Sequence, residues 1–315
     1  MKVSVIIPCH NVAAHLDRAL GSVLAQEHRD LEIICVDDGS TDGTAALLQA
    51  HAQRHPDRIR VVHQANKGAS AARNAGMRPS TGEYLQFLDA DDMLAPGKIS
   101  RQVALLATSG APDLIVGDYE SVMPDGLLLP VEAEYGRAWM GLIRTKLGCT
   151  CSNLWRKQAV ETAGGWPENL GSSQDYTLMF RMLRNNCTVV WDRSIHTIIF
   201  KRETGSISQS GIAANWRRYI DLRWEIKQHL VARDPVAFKA EIDALDQYLF
   251  MALRILVGHD RKEAFADRRR MLPRRFTPEV GRATTERYVL LFKLLGFAGA
   301  ETMVRLLRNR HTATP

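Results

Sequence analysis

Three aspartates, Asp89, Asp91 and Asp92, close the string Phe87-Leu88-Asp89-Ala90-Asp91-Asp92, just after the apolar residues Tyr84 and Leu85. The apolar run reads as a buried strand. In an extended chain, residues two apart face the same way. Asp89 and Asp91 are therefore expected to point together into the space beyond the strand end, with Asp92 beside them. Concentrated carboxylate charge is costly unless a cation neutralises it, and hard oxygen ligands suit Mg²⁺ or Mn²⁺. A cation so held keeps open positions that phosphate oxygens fill, so the motif points to a nucleoside-diphosphate site.

The elements that must position such a site alternate along the first 120 residues. Val3–Pro8 is a continuous, largely β-branched run, as a parallel strand covered on both faces requires. Leu16, Ala19, Leu20, Val23 and Leu24 follow at helical spacing. Residues 31–37 form the next strand, and the polar exit at 37–44 offers Thr41 or Asp42 to cap a helix through Leu47 and Leu48. Residues 59–63, 83–89 and 113–118 read as further strands, with helices after 66–76 and after Pro96. Strands alternating with helices imply right-handed crossovers and an α/β fold, an open, mainly parallel sheet with helices on both faces. Ligands bind such sheets outside the carboxyl ends of the strands. His10-Asn11, Asp37-Asp38, Asn66-Lys67 and Asp89 to Asp92 all fall at that edge. Further on, 119–132 reads as a hairpin turning at Pro124-Asp125-Gly126, and 149–156 as a strand. Residues 164–175 read as a glycine-rich loop entering a helix over Tyr176–Leu183. Residues 187–192 and 195–200 are predicted as strands returning to the sheet.

The 315 residues, 45% apolar and 24% charged, suffice for one large domain and an appendage. Charge divides them: residues 1–210 hold 21 Lys+Arg against 23 Asp+Glu, and residues 211–315 hold 20 against 12. A boundary near Ser210 follows, separating a domain over 1–210 from a basic helical region over 211–315. In the latter, Phe238, Ile242, Leu245, Leu249, Leu253 and Leu256 form one apolar stripe. Met1-Lys2-Val3 leads straight into a strand without a signal pattern, and no charge-free apolar stretch reaches eighteen residues. The five cysteines are odd in number, and Cys149 and Cys151 lack a second ligand pair for zinc. The expectation is a cytoplasmic chain with reduced thiols.

Residues 3–11 (VSVIIPCHN), 36–44 (VDDGSTDGT), 66–76 (NKGASAARNAG) and 87–92 (FLDADD), in this order and spacing, resemble the family 2 glycosyltransferases over roughly residues 1–210. The resemblance implies a GT-A fold, a nucleotide-sugar donor (a UDP-sugar first), a divalent cation, Mn²⁺ or Mg²⁺, and inversion at the anomeric carbon. It implies hexosyl or N-acetylhexosaminyl transfer to a saccharide or lipid-linked acceptor in surface-polysaccharide assembly. Pro8, His10 and Asn11 match the region around the nucleotide base, where His10 offers a flat face for stacking. Asp38 matches the acidic contact to uracil or ribose, and Lys67 and Arg73 flank a glycine turn suited to a diphosphate. Asp91 matches the metal ligand, with Asp89 assisting and Ala90 between them. Plainer roles stand beside these: helix capping for Asn11, turn capping for Asp38, and for Arg73 an ion pair bracing the aspartates.

Gln174-Asp175 stands where the family carries two acids. Asp175 is the implied base, taking the acceptor hydroxyl proton, with capping of its own helix as the alternative. Gln174 removes a neighbouring carboxylate, which together with the helix N-terminus is expected to lower the Asp175 pKa. Gly165 and Trp166 are expected to wall the acceptor sugar, unless Trp166 belongs to the core. Lys201, Arg202, Ser206 and Ser208 match a segment expected to close over the diphosphate, although Glu203 stands at the family's histidine position.

Arg217-Arg218, Arg268 to Arg270 and Arg274-Arg275, with the apolar stretch 288–307, suit three partners. These are solvent around a basic bundle, a membrane interface on the cytoplasmic side, or a second copy in a homodimer. Nucleic acid is disfavoured because aromatics do not interleave with the basic residues. Two competing functions remain. A sugar nucleotidyltransferase would carry a glycine-rich basic loop where Pro8-Cys9-His10-Asn11 stands. A catalytically inactive nucleotide-sugar-binding scaffold is favoured by Gln174 and opposed by Asp38, Asp91 and Asp175.

Overall fold

A computed structural model describes residues 1–202, 211–281 and 283–311. The chain forms two compact units, Met1–Ile207 and Ser208–Pro315. In the first, the order is β1 (Val3–Cys9), α1 (Ala13–Leu24), β2 (Leu31–Asp38), α2 (Thr44–Arg54), β3 (Ile59–Gln64), α3 (Ala69–Met77) and β4 (Tyr84–Phe87). Then come β5 (Met93–Leu94), α4 (Lys98–Ser109), β6 (Leu114–Gly117), β7 (Tyr119–Val122), β8 (Leu128–Val131), α5 (Ala138–Ile143) and β9 (Leu154–Arg156). The unit ends with α6 (Lys157–Thr162), α7 (Gln174–Arg184), β10 (Val189–Asp192) and β11 (Thr197–Phe200).

Seven strands form the main sheet in the order β10-β6-β9-β4-β1-β2-β3. All its pairs are parallel except those of β9, which runs antiparallel to both neighbours. The unbroken apolar run of β1 is explained by cover on two faces. Val3, Val5 and Ile7 pack with Leu16, Leu20 and Val23 of α1 and Ile99 of α4. Alternate residues of β2, Ile34 and Val36, pack with Ala72 and Ala75 of α3. Gly76 permits that second contact, because a Cβ there would lie 2.5 Å from Ile6 Cγ2.

The sequence predicts residues 195–200 in the main sheet, whereas β11 lies in a second sheet of order β5-β11-β7-β8. It pairs antiparallel with β5 and parallel with β7. The attachment is polar as well as apolar: Phe200 N donates to Asp92 Oδ1 at 3.0 Å, drawing β11 to the segment just after the aspartates.

The second unit is helical: α8 (Ile212–Arg233), α9 (Lys239–Leu256), α10 (Arg261–Met271) and α11 (Glu286–His311). Leu249, Leu253 and Leu256 of the predicted stripe join Ile220, Phe250, Ala264, Phe292 and Phe297 in its core. Among the described residues, no helix is long and apolar enough to cross a membrane.

Candidate active site

The strand exits on the β1–β2–β3 side are tied to each other. Pro8 lies within β1, opposite Val36. His10 Nδ1 is 2.9 Å from the Asp38 carbonyl, and its Nε2 is 3.1 Å from Asn66 Nδ2. Asn11, at φ +51°, accepts from Thr41 N through Oδ1 at 2.8 Å, so it joins two loops, and Val12 takes the N-cap position of α1. Asp38 is buried. Its Oδ1 accepts from Lys67 N at 2.8 Å and Gln64 Nε2 at 2.7 Å, and its Oδ2 from Gly68 N at 2.8 Å. It thus fixes the loop entering α3 and leaves the Lys67 side chain exposed. Turn capping falls to Asp37, which accepts from Ser40 N at 3.1 Å.

Beyond β4 the chain does not stay extended, as the reading from strand alternation assumes. Asp92 N donates to Asp89 O at 3.0 Å, closing a turn in which Asp89 and Asp92 stay close together while each of the three carboxyls takes its own partner. Asp89 pairs with Arg73 at 2.6 Å; the Arg73 side chain is 7% exposed and Asp89 38%. The ion-pair role for Arg73 is therefore the one present. Its guanidinium also lies over Trp166, 4.5 Å from the ring centroid. Asp91 pairs with Arg202 at 2.8 Å, and its carbonyl accepts from Arg18 at 2.6 Å. Ala90 is buried in the core. Asp92 turns inward, meeting Phe200 N and, at 3.5 Å, the Cys151 thiol. Burial, then the charges of Asp89 and Asp91, pushes its carboxyl up to about 8.

Asp175 opens α7 with its Oδ1 accepting from Tyr176 N at 2.9 Å, and Gln174 Nε2 donates to Leu170 O at 2.6 Å. The expected lowering of the Asp175 pKa is not found. Burial raises it, outweighing the Tyr176 amide and the Arg73 charge, while Asp89 pushes it up further. Desolvation acts on the whole carboxylate charge, whereas a helix terminus offers only a fraction of one.

Trp166 does not wall an open site. It is 2% exposed and meets Phe87 edge-on at 5.0 Å and Trp155 at 5.9 Å. Asn74 holds it there: Trp166 N donates to Asn74 Oδ1 and Asn74 Nδ2 to Trp166 O, both at 2.9 Å. This bracing role of Asn74 and the contact of Arg18 with Asp91 carry no signal in local sequence. Ser206, with Glu203 and Ser208, lies outside the described residues.

Among the described residues, one group of side chains with metal-ligating atoms lies within 4.8 Å of one another: Asp89, Asp92 and Cys151. It suits a hard cation poorly, since burial, then Asp89 and Asp92, pushes the Cys151 thiol well up and keeps it protonated. Asp89 and Asp91, 38% and 26% exposed, are the hard donors open to solvent. Both carry oxygen donors of the kind hard cations prefer, and each is held by an arginine.

An α/β unit with a mainly parallel sheet and paired aspartates at its carboxyl edge is the architecture of the GT-A class, and solved structures agree. S. aureus TarS in complex with UDP-GlcNAc matches at a TM-score of 0.62, with 20% identity over 84% of this chain and 75% of that one. A mannosyltransferase of Pyrobaculum calidifontis, in complex with GDP-Man and Mn²⁺, matches at 0.56, with 19% identity over 99% and 88%. Residues 4–136 match the profile "Glycosyl transferase family 2", and the chain carries a domain of that family. An uncharacterized glycosyltransferase of Nostoc sp. is 49% identical over 109 residues, which are 35% of this chain and 34% of that protein. The chain spans about a third of the length of such curated relatives.

Proposed function

We propose that residues 1–210 transfer a sugar from a nucleoside-diphosphate sugar, a UDP-sugar first, to a hydroxyl of a saccharide or lipid-linked acceptor in surface-polysaccharide assembly, with inversion. The observation that carries this reading is the Arg73–Asp89 pair, 2.6 Å apart at the exit of β4, whose two charges both act on the carboxyl of Asp175 at the start of α7. Asp175 takes the acceptor's proton as its oxygen attacks the anomeric carbon, and burial makes this carboxylate a stronger base than a free one. The nucleoside diphosphate leaves from the opposite face, so one displacement inverts the centre. Asp91 and Asp89 would hold a divalent cation, which would supply positive charge to offset that of the leaving group. Arg202 and Lys67 supply positive charge beside it and His10 a face for the base, with Asp38 bracing the loop that carries Lys67. Bound UDP-GlcNAc in TarS, and GDP-Man with Mn²⁺ in the mannosyltransferase, support the donor class and the cation. In the same reading, the basic helices over 211–315 meet an anionic membrane surface from the cytoplasmic side.

A second reading, an inactive nucleotide-sugar-binding scaffold, is favoured by Gln174 in place of an acid. The test is nucleoside-diphosphate release by the full chain from UDP-, GDP- and TDP-sugars, with Mn²⁺ or with EDTA. Metal-dependent release from one donor, lost in Asp91→Ala, is the expected result. Asp175→Ala should bind that donor without turning it over. Metal-dependent binding with no turnover in the wild type favours the scaffold, and neither binding nor release refutes the donor site.

A further inference from the structure

Within the helical unit, α10, the segment after it and α11 enclose a cavity of about 780 Å³. Gly296, at φ +67° and ψ −178°, breaks α11 at this cavity, a backbone conformation that glycine alone adopts without strain. Five cations line it: Arg268, Arg269, Arg274, Arg275 and Lys293. No acidic residue does. Three other arginines of the unit have carboxylate partners: Arg217 has Asp221, Glu263 and Asp267, Arg254 has Glu301, and Arg270 has Asp267. Among the described residues, none of the five has a carboxylate at ion-pair distance. Arg268 donates to the carbonyls of Leu272 and Pro273, both at 3.3 Å, and lies over the rings of Phe276 and Phe292, while its buried Nε has no hydrogen-bond partner.

Apart from Thr277, the rest of the lining is apolar. Phe276, Phe292 and Phe297 form the floor, and Leu295 lies at the break. Leu290, Leu294 and Leu295 are 59%, 71% and 49% exposed on α11. A half-buried guanidinium without a carboxylate partner is a receptor for phosphate oxygens. Exposed leucines on the helix that lines the cavity gain nothing from a soluble anion but bury apolar surface against acyl chains. A free phosphate would also fill little of the volume. We propose that this cavity binds the phosphate of an anionic membrane phospholipid, with Leu290, Leu294 and Leu295 entering the acyl boundary. The proposal rests on the membrane-surface reading of the basic unit and adds a built headgroup site to it.

The experiment is flotation of the full chain with phosphatidylcholine vesicles containing or lacking phosphatidylglycerol. Wild type floats only with the anionic vesicles. Arg274→Glu with Arg275→Glu weakens binding by more than roughly tenfold, because each basic residue at such a surface contributes severalfold. Arg233→Glu with Lys239→Glu makes the same charge change at residues outside the cavity lining and weakens it much less. Leu294→Trp shifts its emission to the blue on the anionic vesicles. Equal loss in the two pairs leaves membrane binding standing but overturns the cavity, and absence of flotation by wild type overturns both. Two further results overturn the lipid assignment: phosphate binding measured by calorimetry without flotation, or a dimer that the Arg274, Arg275 pair of changes dissociates. The changed side chains are exposed, and unaltered circular dichroism shows that the variants fold.

Discussion

Replacing Arg73 by methionine tests the centre of the proposed site through two separate readouts. The change removes the charge that pairs with Asp89 at 2.6 Å and keeps an unbranched side chain against Trp166. Breaking a fully buried pair costs about 3–5 kcal/mol, while an exposed pair contributes about 0–1 kcal/mol. With Arg73 at 7% and Asp89 at 38% exposure, the loss should fall between, at about 1–3 kcal/mol in urea unfolding. Changing Asp89 to asparagine in the same chain should recover part of it, since the stranded carboxylate is then gone. The second readout is the pH profile of kcat/KM. The base must be ionised, so the rate rises as pH passes through the Asp175 pKa. Arg73 pulls that pKa down, so its loss must move the acid limb to higher pH. An acid limb that stays in place or moves to lower pH refutes the coupling of Arg73 to the base.

Lys98 is buried, and burial lowers its ammonium from 10.5 to about 7. Between these values the folded chain binds fewer protons than the unfolded one, so stability should rise with pH across that window by up to about 1.4 kcal/mol per unit. Lys98→Met should flatten the rise, and parallel unfolding curves for the two proteins from pH 7 to 9 would contradict it. Asp38→Asn turns an amide group toward the N–H donors of Lys67 and Gly68, losing at least one buried bond. It should cost about 1–3 kcal/mol in thermal unfolding and weaken donor binding through the loosened loop. Unchanged donor affinity in a destabilised variant would limit Asp38 to the fold.

The strands around β1 were legible because local chemistry decides them. A run such as Val3 to Ile7, buried on both faces, has one stable use in an α/β chain. The strand exits of β1, β2 and β4 were legible for the same reason, and so was the edge where polar residues gather. What escaped depends on contacts distant in sequence. Phe200 meets Asp92 across 108 residues, and that contact, with the pairing to β5 and β7, holds β11 outside the main sheet. Asn74 and Trp166 are 92 residues apart, so a glycine-rich approach to the tryptophan could not reveal whether it faced a sugar or the core. The Asp175 pKa was misjudged for a related reason. Its neighbours in sequence, Gln174 and the helix terminus, argue for a stronger acid, and the burial that wins comes from elsewhere in the fold.

The four residues Asp89 to Asp92 hold three carboxyls with three different fates. Asp89 is balanced by Arg73 and Asp91 by Arg202, while Asp92, pushed to about 8, keeps its proton at neutral pH. The carboxylate charge of this turn is thus offset before any donor arrives, and a diphosphate would add negative charge beside it. A divalent cation offsets that added charge only if Asp91 can exchange Arg202 for it. Arg202→Gln tests the exchange directly. It removes the competitor without adding charge, so Mn²⁺ should bind more tightly in the absence of any donor. The partners are 39% and 26% exposed, a setting in which such pairs contribute about 0.2–1 kcal/mol, so the gain should be about 1.5- to 5-fold in titration with Mn²⁺. Weaker Mn²⁺ binding in the variant would mean that Arg202 holds Asp91 in place for the metal instead of competing with it. The two cations would then act on Asp91 together, and the exchange argument would fail.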